Sequence, residues 1–137
     1  MPLDPSLVAK LRSALSSGPP LRLAVLFGSQ ATGRARAGSD FDIAILPVDL
    51  ELSLREELAL AAALSDVTAT EVDLVRLDKD DPLLHREIAL HGDCLFEREP
   101  GAFSAYRADA ISRWIEFDAI LAPHRARFLR RLAGKQP

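Results

Sequence analysis

The sequence of 137 residues lacks the material for several common kinds of site. Its single cysteine, Cys94, excludes an internal disulfide and a cysteine metal cluster, and we expect a small buried side chain there. No apolar run reaches the roughly 18 residues of a membrane span, and the N-terminus has none of the features of a signal peptide. A formal net charge of −3 argues against broad electrostatic binding to nucleic acid. We therefore expect a cytoplasmic protein that binds neither membrane nor DNA directly.

Hydrophobic residues are plentiful, at 48% of the chain, and suffice for one packed domain over residues 1 to 137. Helix signals begin at Pro5, Ser53 and Pro82 and before Phe103, and they alternate with strand-like apolar runs. Those runs lie at residues 21 to 27, 41 to 46, 72 to 77 and 94 to 96. We predict an α/β (α+β) fold with a small mixed β-sheet flanked by helices. Its core spans about residues 20 to 98, and a C-terminal helical segment spans about residues 101 to 133.

A glycine–serine turn ends the first apolar run. Gly28 and Ser29 directly follow the residues LRLAVLF, whose length suits a buried strand. Glycine has no Cβ and adopts positive φ, so a turn of this kind lets backbone N–H groups approach a phosphate closely. Ser29 adds a hydroxyl donor. The turn is therefore a candidate phosphate-binding site.

Three aspartates follow within later apolar strands. Asp40 and Asp42 are two residues apart at the start of the second run, so on a strand their carboxylates share one face. Asp73 lies in the third run and completes the set if the two strands are neighbours. Three hard oxygen ligands suit Mg²⁺, and two such ions can clamp the oxygens of a phosphoryl displacement. Taken alone, the Gly28–Ser29 turn also fits an ordinary strand end, and Asp40 also fits an Asx turn. An unpaired acid buried in an apolar strand, however, costs folding free energy.

This segment resembles the GS-x10-D-x-D signature of the nucleotidyltransferase superfamily related to DNA polymerase β, from Gly28 to Asp42, with Asp73 as the third acid. More narrowly, the chain is similar to minimal nucleotidyltransferase (MNT) domain proteins, the antitoxins of HEPN/MNT toxin–antitoxin pairs. The resemblance extends over most of the chain, including the aromatic C-terminal helix that begins near Phe103. It implies a nucleotidyltransferase fold.

The resemblance also implies a reaction. ATP would be the donor, with its phosphates on the Gly28–Ser29 turn and two Mg²⁺ ions on Asp40, Asp42 and Asp73. Asp73 would also act as general base for the acceptor hydroxyl, which in this family is a tyrosine of the partner HEPN toxin, an RNA-cleaving helical protein. Transfer of AMP to that tyrosine silences the toxin.

Several alternatives stay open at this point. Arg34 and Arg36 either neutralise phosphate charge or contact a partner, or they are solvated loop residues. An antitoxin can also neutralise its partner by occlusion without chemistry. A third possibility is nucleotidyl transfer to a small molecule, as in aminoglycoside-modifying enzymes. Only about forty residues follow the last predicted strand, which leaves little material for a small-molecule pocket and favours a protein acceptor.

Three patterns in the C-terminal half of the chain have ordinary structural explanations. Arg86 and His91 form an R-x4-H pattern similar to the RNA-cleaving motif of the toxin, but residues five apart on a helix diverge by about 140°. The aromatic stripe of Phe103, Trp114 and Phe117 predicts a core face with a possible partner surface. The basic run at residues 124 to 132 is typical of a helix C-terminus, and it also suits an acidic partner.

Overall fold

A four-stranded mixed sheet forms the centre of the computed structural model, which describes residues 3–35 and 40–134. The strands are β1 (Leu21–Phe27), β2 (Phe41–Pro47), β3 (Val72–Arg76) and β4 (Asp93–Glu97). Their order is β3-β2-β1-β4. β1 is antiparallel to both of its neighbours, and β2 is parallel to β3. The predicted mixed sheet is confirmed, and β4 is an edge strand as expected.

Helices cover both faces of this sheet. They are α1 (Pro5–Ser17), α2 (Ser29–Thr32), α3 (Leu54–Thr68), α4 (Pro82–His91), α5 (Ala102–Leu121) and α6 (Arg125–Ala133), with a 3-10 turn (Ala122–His124) before the last. The side chains of Asp4, Ser53 and Asp81 cap three helix starts by accepting backbone N–H groups, as the sequence predicts. Within the described ranges, no helix is long and apolar enough to cross a bilayer.

Two hydrophobic cores lie on opposite faces of the sheet. On one face, α1 and α3 contribute Leu11, Leu15, Leu60 and Leu64, which pack with strand residues that include Leu26, Ile43 and Ile45. On the other face, Ile88 of α4 packs with Val25 and Phe27 of β1 and with Ala44 of β2. Neighbouring residues of each central strand thus serve different cores, which explains why β1 and β2 read as continuous apolar runs. The same alternation decides which way the acidic residues face.

The structure corrects two expectations about burial. Cys94 is only partly buried, because it lies on the edge strand β4, and this burial raises the pKa of its thiol. Of the three aromatic residues in the stripe on α5, only Phe103, at the start of the helix, packs against the second core. Trp114 and Phe117 are partly exposed, and the second half of α5 also exposes large apolar side chains: Ile115, Ile120 and Leu121.

Arg76 ties the end of β3 to the connection between β2 and α3. Its guanidinium donates hydrogen bonds to the backbone carbonyls of Leu50 and Leu52. It also forms ion pairs with the carboxylates of Glu57, at 2.8 Å, and Asp78, at 2.9 Å. The Arg76 side chain is only 13% exposed, so these interactions are screened less than surface pairs are. Together they fasten a segment that has little apolar packing of its own.

We expect Arg76→Ala to lower the free energy of unfolding by about 1–3 kcal/mol, because several acceptors lose their shared donor. Urea denaturation monitored by circular dichroism measures this change. Arg113→Ala is the matched control, since it removes an exposed pair with Asp109 and should cost less than about 0.5 kcal/mol. Equal losses in the two variants would show that the Arg76 network adds nothing beyond a surface ion pair.

Candidate active site

The ends of three strands meet at one edge of the sheet. Phe27, the last residue of β1, pairs with Asp42 near the start of β2. Asp42 in turn aligns with Asp73 in the parallel strand β3. Because β1 runs opposite to β2 and β3, its C-terminal end lies beside their N-terminal ends. The register therefore brings the Gly28 turn, Asp42 and Asp73 to the same edge.

The two strand aspartates also share one face of the sheet. Ala44 follows Asp42 by two residues and lies in the core beneath α4. Val75 follows Asp73 by two residues and packs against the same core. Since side chains alternate along a strand, Asp42 and Asp73 point to that face as well. Asp40 immediately precedes β2 and is exposed beside them.

Position 28 requires glycine because of its backbone conformation and because of the neighbouring side chain of Asp42. Its φ of 76° and ψ of −154° lie in a region that is essentially restricted to glycine. A Cβ at this position would collide with the carboxylate of Asp42. The turn backbone and the Asp42 side chain are therefore in direct contact. A phosphate on this turn would lie next to the acids.

The chain after Gly28 is a short helix rather than the loop that the glycine spacing suggests. The carbonyl of Gly28 accepts hydrogen bonds from the backbone N–H groups of Ala31 and Thr32. The helix α2 then ends at Gly33, which is left-handed with a φ of 75°. Ser29 is the first residue of this helix and is partly buried. Both residues of the predicted phosphate turn thus lie at the junction of β1 and α2.

The three carboxylates interact electrostatically. Burial raises the pKa of Asp42, and repulsion by Asp73 and then Asp40 raises it further. In the ranges 3–35 and 40–134, no three His, Cys, Asp or Glu side chains are placed to hold one metal ion. Asp40, Asp42 and Asp73 are therefore a patch of like charge rather than a closed coordination set. Carboxylate oxygens are the ligand type that a hard divalent cation such as Mg²⁺ prefers, and a cation bound at this patch would relieve the repulsion that, together with burial, raises the pKa of Asp42.

The raised pKa of Asp42 predicts a pH dependence of stability. Between the ordinary aspartate pKa of 3.8 and the raised pKa of Asp42 in the folded protein, the folded state holds on average more of a proton on Asp42 than the unfolded state does. Folding stability should therefore fall as the pH rises through the interval between the unfolded and folded pKa values. Asp42→Asn removes the ionisable group. The free energy of unfolding of this variant, relative to that of wild type, should therefore increase from about pH 3 to pH 7.

Denaturant unfolding with chelator at both pH values measures this difference. Asp66→Asn is the matched control, since it removes one exposed acid from α3, which packs on the opposite face of the sheet. If the two variants followed wild type in parallel at all pH values, the repulsion at Asp42 would not be a cost to folding.

Arg34, the remaining predicted site residue, lies on the opposite side of the turn from the acids. Arg34 is exposed and follows α2, where its backbone N–H donates to the carbonyl of Ser29. With Ala31 and Thr32 it faces Glu87 and His91 of α4 across a cleft of about 400 Å³, here called the α2–α4 cleft. Sequence reasoning did not assign a role to this pair from α4. Their spacing of four residues on a predicted helix was the available signal.

Other features of the sequence can now be located. Arg36 lies outside the described residues. Arg86 stacks over the ring of Trp114, with its guanidinium carbon 5.1 Å from the ring centroid, so it is directed away from the cleft that His91 lines. His85 hydrogen-bonds to the hydroxyl of Tyr106 and to the backbone carbonyl of Lys79, each at 2.7 Å, so both of its ring nitrogens have partners.

Comparisons with known proteins agree with this geometry. The family described as Polymerase beta, Nucleotidyltransferase matches residues 9–101. Protein adenylyltransferase MntA of Aphanizomenon flos-aquae (strain 2012/KM1/D3) is 32% identical over 107 residues, which cover 69% of this chain and 71% of MntA. A crystal structure described as a toxin–antitoxin with AMP-PNP has a TM-score of 0.74 at 26% identity, covering 93% of this chain and 99% of that chain.

A further structure supports the fold alone. It is described as tri-AMPylated Shewanella oneidensis HEPN toxin in complex with MNT antitoxin, and it has a TM-score of 0.71 at 23% identity. The match covers 90% of this chain and 97% of that chain. The resemblance seen in the sequence is confirmed. This chain belongs to the Polymerase beta nucleotidyltransferase family and is a homologue of MntA.

Proposed function

We propose that this protein is an antitoxin that transfers AMP from ATP to a tyrosine hydroxyl of a partner HEPN ribonuclease toxin and thereby neutralises it. The proposal is supported by the homology to an adenylyltransferase and by the likeness to a toxin–antitoxin structure that holds an ATP analogue. ATP and a ribonuclease target are both found in the cytoplasm, where we place the protein. Residues 1 to 137 would act as one nucleotidyltransferase domain.

One observation carries the proposal more than any other. The register aligns Asp42 with Asp73 on one side and with the end of β1 on the other, while Gly28 leaves room for the Asp42 carboxylate. A strand-end turn without function has no need of a glycine-only conformation pressed against a carboxylate whose pKa is raised. The combination suits a site where phosphate, metal and acid must lie close together.

Each residue of the site has a proposed role. Gly28 and Ser29 bind the donor phosphates, because the first N–H groups of a helical turn lack partners within the turn and attract anions. Asp40, Asp42 and Asp73 hold Mg²⁺, with two ions expected. When bound, the metal neutralises phosphate charge and stabilises charge that develops on the transferring phosphoryl group. Arg34 lies close enough along the chain to add positive charge beside the turn.

A protein side chain also accepts the proton that the acceptor hydroxyl loses. The oxygen of the acceptor hydroxyl forms a bond to the α-phosphorus of ATP, and the bond between the α- and β-phosphates breaks. Pyrophosphate leaves with the bonding electron pair, and AMP stays on the acceptor. Asp73, exposed at the start of β3, takes the hydroxyl proton as general base. Its exposure leaves space for an acceptor side chain that arrives from a partner.

Intact mass spectrometry tests this function. The purified chain is incubated with ATP and Mg²⁺, with and without the product of any adjacent gene that encodes a small helical protein. Addition of one or more AMP groups to the partner, followed by loss of its ribonuclease activity, is the expected result. An unmodified partner that is still inhibited would instead support neutralisation by binding.

Neutralisation by binding alone is the second candidate, and one observation favours it. The second half of α5 and the helix α6 expose large apolar side chains: Ile115, Ile120, Leu121, Leu129 and Leu132. An exposed apolar surface of this kind is typical of a protein interface. Such a surface also serves an enzyme that must hold its protein substrate. The mass measurement separates the two candidates because only the first adds AMP.

A further inference from the structure

The outward side of α3 is apolar over two turns. Residues 58 to 65 of this helix include no charged side chain, although only Leu60 and Leu64 among them are buried. Leu54 and Leu58 are 69% and 61% exposed. A helix on the surface of a globular protein normally presents charged and polar side chains to water. The outward side of α3 therefore has the composition of a helix that packs against a second surface.

The exposed side chains form one stripe along the helix. At 3.6 residues per turn, residues that are three, four or eleven positions apart lie on the same side of a helix. The stripe, here called the α3 face, consists of six exposed residues: Arg55, Leu58, Ala59, Ala62, Ala63 and Asp66. Alanines occupy its centre, so another helix could approach its backbone closely. The larger side chain of Leu58 lies on one flank of the alanines.

The two charges on the α3 face lie at the helix ends where the helix dipole disfavours them. A helix carries partial positive charge at its N-terminus and partial negative charge at its C-terminus. Arg55 is in the first turn of α3, and Asp66 is in the last turn. In the part of the chain that the structure describes, neither residue forms an ion pair, whereas the neighbouring Glu57 pairs with Arg76. A partner with an acid beside Arg55 and a base beside Asp66 would offset both unfavourable interactions.

A second copy of α3 in antiparallel orientation supplies both of these charges. A two-fold axis that passes between residues 60 and 61 places Arg55 level with Asp66 of the second copy, and Asp66 level with its Arg55. The same axis places Ala59 level with Ala62 of the second copy, so small side chains meet at the centre. The two Leu58 side chains then lie on the same flank, one on each side of the axis. The α3 face is thus complementary to itself, as an isologous interface must be.

We propose that the protein forms a two-fold symmetric homodimer through antiparallel α3 faces. α3 packs on the first core, whereas Asp42 and Asp73 point to the opposite face of the sheet. Both candidate sites therefore stay open in the dimer, and the inference does not depend on the reaction that they catalyse. One pair of helices buries less surface than a standard protein interface, so the dissociation constant should be on the order of tens of micromolar.

Sedimentation velocity tests the dimer on the full chain. Over about 1 to 500 µM protein, which brackets the expected dissociation constant, the average mass should rise from that of one chain toward that of two. Leu58→Glu should stay monomeric over this range, because two carboxylates would replace an apolar contact beside the axis. Leu83→Glu is the matched control, since it changes a leucine of α4 that is 66% exposed, and it should dimerise like wild type. Circular dichroism checks that both variants fold.

Charge reversal tests the antiparallel register. Arg55→Glu should weaken dimerisation by about tenfold, since each new carboxylate would lie beside Asp66 of the other copy. Adding Asp66→Arg to this variant should restore dimerisation, because both ion pairs are rebuilt with their signs exchanged. A double variant no better than Arg55→Glu would overturn the antiparallel register. A wild-type chain that stays monomeric, or a Leu58→Glu chain that dimerises like wild type, would overturn the interface itself. The unfolding comparison that uses Asp66→Asn as a control is made at about 1 µM protein, where the chain is monomeric.

Discussion

Asp42→Asn is expected to lower AMP transfer at least about a thousandfold, because a lost metal ligand removes several kcal/mol of transition-state stabilisation. Asparagine keeps the size of the side chain and one oxygen but loses the negative charge. Asp42 is the acid that aligns with Asp73 and also touches Gly28, so it lies at the centre of the site. The mass assay with ATP and the partner measures the loss as AMP added per unit time.

Thermal unfolding distinguishes loss of the site from loss of the fold. Without metal, Asp42→Asn should unfold at or above the wild-type temperature at neutral pH, since the charge repelled by Asp40 and Asp73 is gone. Mg²⁺ should stabilise wild type, by about 2.7 kcal/mol at 100 times its dissociation constant, and should have little effect on the variant. Transfer at the wild-type rate, or equal stabilisation by Mg²⁺, would show that Asp42 is not a metal ligand.

Local signals in the sequence predicted most of the fold. Continuous apolar runs marked β1 and β2 because both faces of these strands are buried, and capping residues such as Ser53 marked the helix starts. The order of the strands was not readable, since it depends on which helices pack on which face. The helix α2 was also missed, because its four residues have no hydrophobic periodicity.

The sequence indicated which residues form the candidate site, but not how they are arranged. The spacing from Gly28 to Asp42 and the apolar context of Asp73 identified the turn and the acids. The contact between Gly28 and Asp42 required the pairing of β1 with β2, which no local pattern encodes. The α2–α4 cleft could not be predicted for the same reason, because a local pattern on α4 does not show that α2 lies opposite to it.

Burial at the periphery was the least predictable property. Trp114 and Phe117 have the spacing of core residues, yet both are partly exposed. Apolar periodicity reports that a helix has an apolar face but not whether that face meets the same chain or a partner. Cys94 shows the same limit for a strand, since its edge position is a consequence of strand order.

Gly28→Ala is expected to reduce AMP transfer by about a hundredfold or more and to lower the free energy of unfolding by about 1–3 kcal/mol. The stability loss comes from a backbone conformation that alanine rarely adopts. The activity loss has a separate cause, because the new methyl group would occupy the place of the Asp42 carboxylate. That carboxylate must then move away from the turn to which we propose that the donor phosphates bind.

Gly101→Ala separates these two causes. Gly101 also has a positive φ, of 89°, but no atom lies within 4 Å of the position that its Cβ would take. Alanine there should cost about 1–2 kcal/mol of stability through backbone strain alone and leave AMP transfer at the wild-type level. Similar stability in the two variants with transfer lost only in Gly28→Ala would show that the contact with Asp42, and not strain, makes glycine necessary at the turn. Retained transfer in Gly28→Ala would mean that the phosphates and the acid do not share this edge of the sheet.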